Sequence, residues 1–264
     1  MCEGRRTVFD GTPNHGRKDL AIDTSKGWSE VPQRIRCGRT LGDPWESLFG
    51  PLRRDSIVVG QIGQSLDGRV AKTPGEPTII NGPEGIAHLH RLRALVDAVV
   101  VGAGTIRADD PQLTVRHVAG PNPVRVVIDP DRSLPVGSRA FAGDGVNRIV
   151  ITRRREHIVV DGGIETIALP DADGLIAPAA ILSSLRERGL RRILIEGGPK
   201  TVSFFLSADC LDRLHVMVAP IVLGSGVSGL DLPPIARRVP MRTYTLGSDV
   251  LFDCDLRSGE SAGR

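Results

Sequence analysis

From Ser56 onward, short apolar runs alternate with stretches of helical period, and glycine or charged turns separate them. Ile57–Ile62 reads as a strand. Pro83–Val96 reads as a helix, with Asn81 or Gly82 near its N-cap and Pro83 in the first turn, where a missing N–H costs nothing. Ala98–Gly102 is continuously apolar, the pattern of a strand buried on both faces. Val124–Ile128, Arg148–Thr152 and Arg192–Glu196 repeat it. Leu175–Arg188 is amphipathic and stopped by Gly189, and another helix opens at Gly197-Gly198-Pro199 and runs to about Leu206. Leu214–Ala219, Tyr244–Leu246 and Val250–Leu256 read as closing strands, the last two a hairpin about Gly247-Ser248. Strands alternating with helices predict an α/β fold. Its central sheet is mostly parallel, with helices on both faces and an antiparallel C-terminal edge.

Residues 1–55 show no sustained period. They are rich in Gly, Pro, Arg and Asp and hold both tryptophans, Trp28 and Trp45. The expected division is an irregular N-terminal extension over 1–55, with one turn of helix at Trp45–Phe49, a folded domain over 56–257 and a tail over 258–264. At 264 residues, 40% hydrophobic and 25% charged, the chain has the makeup of a soluble globular protein able to bury a full core. Aromatics reach only 3%, so that core rests on Val, Ile, Leu and Ala. A net charge of +3, with no aromatic-interleaved basic stripe, argues against a nucleic-acid partner. No apolar run reaches membrane-spanning length and the N-terminus lacks a signal-peptide core, so a cytoplasmic location and no membrane partner are expected. Cys2, Cys37, Cys210 and Cys254 form no C-x-x-C pair, and His88 and His90, two apart, point to different faces of a helix. No metal site is expected.

Four places carry candidate chemistry. Glu196-Gly197-Gly198-Pro199 ends a buried strand in a carboxylate, lets a ligand approach the backbone and opens a helix at once, which suits a pyrophosphate. Gly102-Ala103-Gly104-Thr105, with Asp109-Asp110-Pro111 just beyond, reads either as a second backbone cradle or as a glycine-rich loop capped by Asp. Arg93 and Arg116 have the guanidinium forks that match phosphate or carboxylate, although such arginines are commonly solvated. Thr152-Arg153-Arg154-Arg155 follows a strand end, where an adenosine 2′-phosphate would pair with it; a solvated basic turn is the plainer reading. Gly224-Ser225-Gly226-Val227-Ser228-Gly229 matches the dinucleotide fingerprint literally, yet runs into Leu-Asp-Leu-Pro-Pro and opens no helix.

Taken in order, six markers across residues 56–256 resemble the reductase domain of riboflavin biosynthesis, a dihydrofolate-reductase-like fold often fused to a pyrimidine deaminase. They are Ser65-Leu66-Asp67-Gly68, Leu92-Arg93-Ala94, Gly104-Thr105 with Ala108-Asp109-Asp110-Pro111, Leu113-Thr114-Val115-Arg116, Glu196-Gly197-Gly198, and Ala219-Pro220 with Leu223-Gly224. The resemblance implies an NADPH-dependent reductase that converts the ribosyl group of 5-amino-6-(5-phosphoribosylamino)uracil to ribityl, acting as a homodimer on a phosphorylated pyrimidine. It implies a cofactor site at Gln64, Ile79, Gly104, Thr105, Asp109, Thr152, Gly197, Gly198, Pro199, Lys200, Thr201, Val202, Ser203 and Phe204. Asp67, Arg93, Leu113, Arg116 and Glu196 would contact substrate. Asp109 or Glu196 would carry catalysis, because a carboxylate suits the iminium-like charge that develops as hydride arrives. The deaminase zinc signature, H-x-E with P-C-x-x-C, is absent, so the expected activity is reduction alone.

The sequence departs from the family pattern at three points. Gln61 stands where the family has Lys, Gln64 where it has a small residue, and Pro77-Thr78-Ile79-Ile80-Asn81 where it has S-x-W-I-T. Ile79 would then cover the nicotinamide by apolar contact, with less area than a tryptophan. These changes keep two alternatives in view: a reductase of the same fold acting on a pterin-like compound or secondary metabolite, and a non-catalytic NADP-binding protein.

Overall fold

The computed structural model describes residues 20–21, 27–74, 79–153, 163–233 and 238–257. The first described elements are a two-residue strand, β1 (Leu20–Ala21), and two short helices, α1 (Val31–Arg36) and α2 (Trp45–Phe49), flanked by 3-10 turns at Trp28–Glu30 and Gly50–Arg53. β2 (Ile57–Ser65), β3 (Arg69–Ala71), α3 (Pro83–Leu95), β4 (Ala98–Gly102) and α4 (Ala103–Asp109) follow. Next come β5 (Val124–Ile128), β6 (Arg148–Thr152), β7 (Ile164–Ala168), α5 (Pro178–Glu187), β8 (Arg192–Ile195) and α6 (Pro199–Ser207). The chain closes through β9 (Arg213–Ala219), β10 (Val227–Ser228), β11 (Met241–Leu246) and β12 (Asp249–Asp255).

Among the described residues, ten strands form one sheet in the order β1-β11-β12-β9-β2-β8-β4-β5-β6-β7, and β3 pairs separately with β10. The run from β9 to β7 is parallel throughout, and β12 is antiparallel to both β9 and β11. This is the predicted α/β architecture, antiparallel edge included. Side chains alternate across β2 as a doubly covered strand requires: Ile57 and Val59 enter the core under α1, α2 and α3, and Val58 enters the one under α5 and α6. Gly60 is small for a packing reason, since a Cβ there would meet Leu211 at 2.7 Å. Gly247 (φ 63°) turns the predicted hairpin, and Gly189 (φ 78°) stops α5 as expected. Among the described residues no helix is long and apolar enough to cross a membrane.

The irregular character expected of residues 1–55 does not hold for 28–53. Trp28, Val31, Ile35, Trp45, Leu48, Phe49 and Leu52 are all buried in the core above α3. Trp28 and Trp45 meet edge to face at 5.5 Å, and the Arg91 guanidinium lies over both rings, at 5.6 and 5.1 Å. Trp28 Nε1 donates to the Ala119 carbonyl at 2.7 Å. The helices are too short, at six and five residues, to register as a period; their stability comes from docking rather than propensity. Residues 1–19 and 22–26 and the tail 258–264 lie outside the described residues.

Below this aromatic layer, α3 meets the sheet through buried polar groups. Phe49 stacks on His88 at 5.6 Å, and His88 Nε2 lies 3.0 Å from His215 Nδ1. The other ring nitrogen of His215 sits 3.1 Å from Asp253 Oδ1, which also accepts two bonds from Arg213, at 2.6 and 2.9 Å. Burial, aided by His215 and Arg91, holds the His88 pKa well below its ordinary 6.5. Burial, with Arg93, His117 and Arg116, holds that of His90 down to about 3. Below pH 6.5 the unfolded chain therefore binds protons that the folded chain refuses. The stability that both histidines contribute is intact above that pH and is lost as pH falls, by up to about 1.4 kcal/mol per pH unit for each. Thermal unfolding followed from about pH 7.5 to about pH 5 should show the midpoint dropping below pH 6.5, and less steeply in His88→Leu. An unchanged slope in that variant would remove His88 from the acid sensitivity.

Candidate functional site

The chain passes from β2 to β4 and only later inserts β8 between them, then adds β9 on the far side of β2. Such a reversal of strand order leaves a crevice at the carboxyl ends of the strands. A cavity of about 690 Å³ lies there, over the ends of β2, β8 and β4. Gln61 and Gly63 of β2 form part of its floor, Leu89 of α3 one flank, and Val70, Ala71 and Val227 of the β3–β10 ribbon another. The volume is within the usual range for small-molecule sites.

The Glu196–Thr201 turn forms the wall opposite the ribbon. Gly197 has φ 108°, and a Cβ there would meet Thr105 Oγ1 at 2.7 Å. Gly198 is the N-cap of α6 and donates its amide to Thr105 Oγ1 at 2.8 Å. The turn is thus tied to the first residues of α4, and the positive end of a nine-residue helix faces the cavity beside glycine backbone. Gly104, on the α4 side, has no atom within 4 Å of where a Cβ would stand. A dinucleotide pyrophosphate fits this donor set: helix-end amides and two bare backbones. The segment Ala103–Asp109 is helical, so the loop alternative for it is replaced by a wall of known shape.

Two carboxyls reach the cavity in different states. Glu196 is 7% exposed and bound bidentately by Arg93, which is 4% exposed. Arg93 Nε donates to Oε2 at 2.9 Å and Nη2 to Oε1. The third arginine donor, Nη1, goes to the Thr114 carbonyl at 3.0 Å. Asp109 is exposed in the open cavity and has no side-chain partner among the described residues; partial desolvation by the surrounding walls raises its pKa above the ordinary carboxylate value. One carboxylate is fixed beside a cation and the other is free to titrate.

Of the residues expected in the site, Gly104, Thr105, Asp109, Glu196, Gly197, Gly198, Pro199, Lys200 and Thr201 line one cavity. Others do not. Val202 and Ser203 face the core beneath α6, where Ser203 Oγ accepts the Asp231 amide at 2.8 Å, and Phe204 lies half-buried on α6 outside the cavity wall. Thr152 is fully buried, its hydroxyl donating to the Pro130 carbonyl at 2.9 Å. Ile79 is 83% exposed and outside the cavity; its neighbours Ile80 and Asn81 line it instead, and Gly82 is the N-cap of α3. Gln64 packs against Gly229. Asp67 accepts the amides of Leu223 at 3.0 Å and Gly224 at 2.7 Å and the Ser65 hydroxyl at 2.6 Å, bonds that lower its pKa to about 2 and make it a latch between loops. Leu113 is buried in the core and Arg116 bonds Thr114 Oγ1 outside the cavity wall. Arg153 is occupied by Asp131 and Asp171; Pro77, Thr78, Arg154 and Arg155 lie outside the described residues. The β3–β10 ribbon was not foreseen, because strands of three and two residues carry no readable period. β10 lies within the Gly224–Gly229 fingerprint match, which opens no helix among the described residues. Gly197→Ala should cost about 1–3 kcal/mol through strained φ and the clash with Thr105, whereas Gly104→Ala should stay within about 0.5 kcal/mol. Denaturant midpoints compare the two, and equal values would deny Gly197 its special role.

The family model described as RibD C-terminal domain matches residues 56–252. A 2,5-diamino-6-ribosylamino-4(3H)-pyrimidinone 5′-phosphate reductase of Methanothermobacter thermautotrophicus is 31% identical over 218 residues, covering 74% of this chain and 96% of the relative. The riboflavin biosynthesis protein RibD of Aquifex aeolicus is 33% identical over 173 residues, 64% of this chain; the match spans about half of that relative, 48%. Among solved structures, the Thermotoga maritima deaminase/5-amino-6-(5-phosphoribosylamino)uracil reductase superposes with a TM-score of 0.65 at 29% identity, over 76% of this chain and 56% of that one. The riboflavin biosynthesis reductase Rib7 of Saccharomyces cerevisiae shares the fold, with a TM-score of 0.64 at 23% identity over 86% and 99%. With three quarters of its length matched, a doubly covered sheet of the same fold and the glycine turn and carboxylates gathered at its strand ends, the chain belongs to the RibD C-terminal domain family.

Proposed function

We propose that the protein is an NADPH-dependent reductase of riboflavin biosynthesis that reduces the ribosyl group of 5-amino-6-(5-phosphoribosylamino)uracil to ribityl. The observation that carries this reading is one cavity, in a chain of this family, where an anion-binding glycine turn meets a paired and an unpaired carboxyl. The ring-opened sugar is an imine at its first carbon; reduction adds a hydride to that carbon and a proton to the nitrogen. NADPH, when bound, supplies the hydride. Thr105, Gly197, Gly198 and the first turn of α6 would hold its pyrophosphate. Glu196, held in place by the bidentate Arg93 contact, would stabilise the positive charge of the protonated imine. Asp109, unpaired and with a raised pKa, is the group suited to move a proton. Arg116, whose guanidinium has no carboxylate partner among the described residues, would take the sugar phosphate. On the same reading the enzyme works in the cytoplasm, and the family resemblance implies a homodimer.

A second reading concerns the pyrimidine. Gln61 is 6% exposed, lines the cavity floor and has no side-chain partner among the described residues. Its carboxamide offers a donor and an acceptor to a ring edge where a lysine would offer donors alone. Both the uracil and 2,5-diamino-6-ribosylamino-4(3H)-pyrimidinone 5′-phosphate present such an edge, and the latter, the compound for which the Methanothermobacter relative is named, is the competing substrate. NADPH consumption with each pyrimidine, read from the nicotinamide absorbance, separates the two. Turnover should fall by about 100-fold or more in Asp109→Asn and in Glu196→Gln. Tight NADPH binding without consumption of either pyrimidine would leave a cofactor site and overturn the substrate.

A further inference from the structure

The turn after α4 is strained. Asp110 ends the helix at φ 37°, and Leu113 has φ 58°, a region that a branched side chain resists. Leu113 is 1% exposed, so the core holds its side chain while the backbone bends around it. Three side chains pin the residues that follow. Arg93 Nη1 donates to the Thr114 carbonyl at 3.0 Å, Asn122 Oδ1 accepts the Val115 amide at 2.7 Å, and His90 Nδ1 accepts the Arg116 amide at 3.0 Å.

The third of these bonds is unusual in kind. His90 is 2% exposed on α3 and packs its ring edge-on to His117, with centroids 4.6 Å apart. An imidazole accepts at Nδ1 only while neutral, with its proton on Nε2. Burial, and then the charges of Arg93, His117 and Arg116, hold its pKa at about 3, so the acceptor persists at any working pH. The residue whose backbone it holds is Arg116. That guanidinium bonds Thr114 Oγ1 at 2.8 Å, on the same residue whose carbonyl accepts from Arg93 Nη1, and Arg93 in turn binds Glu196. Glu196 is a wall of the cavity.

We propose that His90 is a positioning residue: by accepting the Arg116 amide at Nδ1, it holds the strained 113–116 turn in the conformation that keeps the Arg116 guanidinium beside the Arg93–Glu196 pair, where it takes the phosphate of the substrate. The identity of that phosphate rests on the functional reading above; the hold on the turn does not.

The test compares His90→Asn with His90→Leu. The asparagine Oδ1 stands near the place of Nδ1 and keeps an acceptor, whereas leucine fills the space and offers none. Amide hydrogen exchange at Arg116 reads the bond directly, in the full chain and without substrate. It should stay protected in His90→Asn and speed up by about tenfold or more in His90→Leu, in line with one lost buried bond. In steady-state kinetics, His90→Leu should raise KM for the phosphorylated pyrimidine by about tenfold. Its kcat and its KM for NADPH should stay within about twofold, and His90→Asn should restore the parent values. Unchanged Arg116 exchange in His90→Leu, or equal losses in both variants, would overturn the proposal. So would a loss confined to kcat. If the parent enzyme turns over neither pyrimidine, the functional reading fails by itself, and the exchange measurement still decides whether His90 holds the turn.

Discussion

The Arg93–Glu196 pair fixes where everything else in the site can stand. It joins the last turn of α3 to the end of β8, the strand at the centre of the crevice, and both groups are almost wholly removed from water. Desolvating two charges costs several kcal/mol each, a cost that bidentate geometry and further hydrogen bonds help to offset. Here Nε and Nη2 bind the carboxylate and Nη1 reaches the Thr114 carbonyl, so each of the three guanidinium nitrogens makes a bond. A shift of α3 along the sheet would strand both charges. The pair contributes less to net stability than to a single permitted position for the helix.

That single position carries over to both ends of the cavity. On one side, Arg93 sets Thr114 and so the turn that ends in Arg116. On the other, Glu196 leads straight into Gly197, whose left-handed φ brings the backbone against Thr105 and starts α6 at the cavity edge. The two carboxyls then divide the chemistry by their surroundings. Glu196 is gripped by Arg93 and held in one orientation. Asp109, exposed in the cavity at the end of a short helix, has its proton affinity raised by partial desolvation and is open to exchange that proton with a ligand.

The parallel strands were legible because burial on both faces leaves continuous Val and Ile runs, and Ala98–Gly102, Val124–Ile128 and Arg148–Thr152 appear with the bounds their patterns suggest. The glycine turn was legible too, since a carboxylate, two glycines and a proline at a strand end have few other uses. What the sequence hid is side-chain direction within a helix. Residues 197–201 face the cavity, but Val202 and Ser203 belong to the opposite stripe and turn into the core. Asp67 was expected as a ligand contact through the family resemblance. Its oxygens are spent on the Leu223 and Gly224 amides, contacts more than 150 positions away that no local pattern announces. Asp109 and Glu196 could not be told apart in sequence, because the difference lies in Arg93, 103 positions from its partner.

The N-terminal helices also change what counts as the functional unit. The family match begins at residue 56, yet the face of α3 that carries His88 and Arg91 is covered by Trp28, Trp45 and Phe49. Without that layer an arginine, a histidine and the apolar side chains beside them would meet water on the helix that also presents His90 and Arg93. His88 is held from the other side by His215, so α3 is gripped between an aromatic lid above and a polar chain below. Among the described residues, none of Trp28, Trp45 and Phe49 lines the cavity. The lid's bearing on the site is mechanical: it removes the freedom of α3 to lift from the sheet, and the buried ion pair then removes its freedom to slide. Precision at the strand ends therefore begins in a segment outside the family match, and the order is physical: aromatic burial first, the desolvated pair second, the strained turns of Gly197 and Leu113 last.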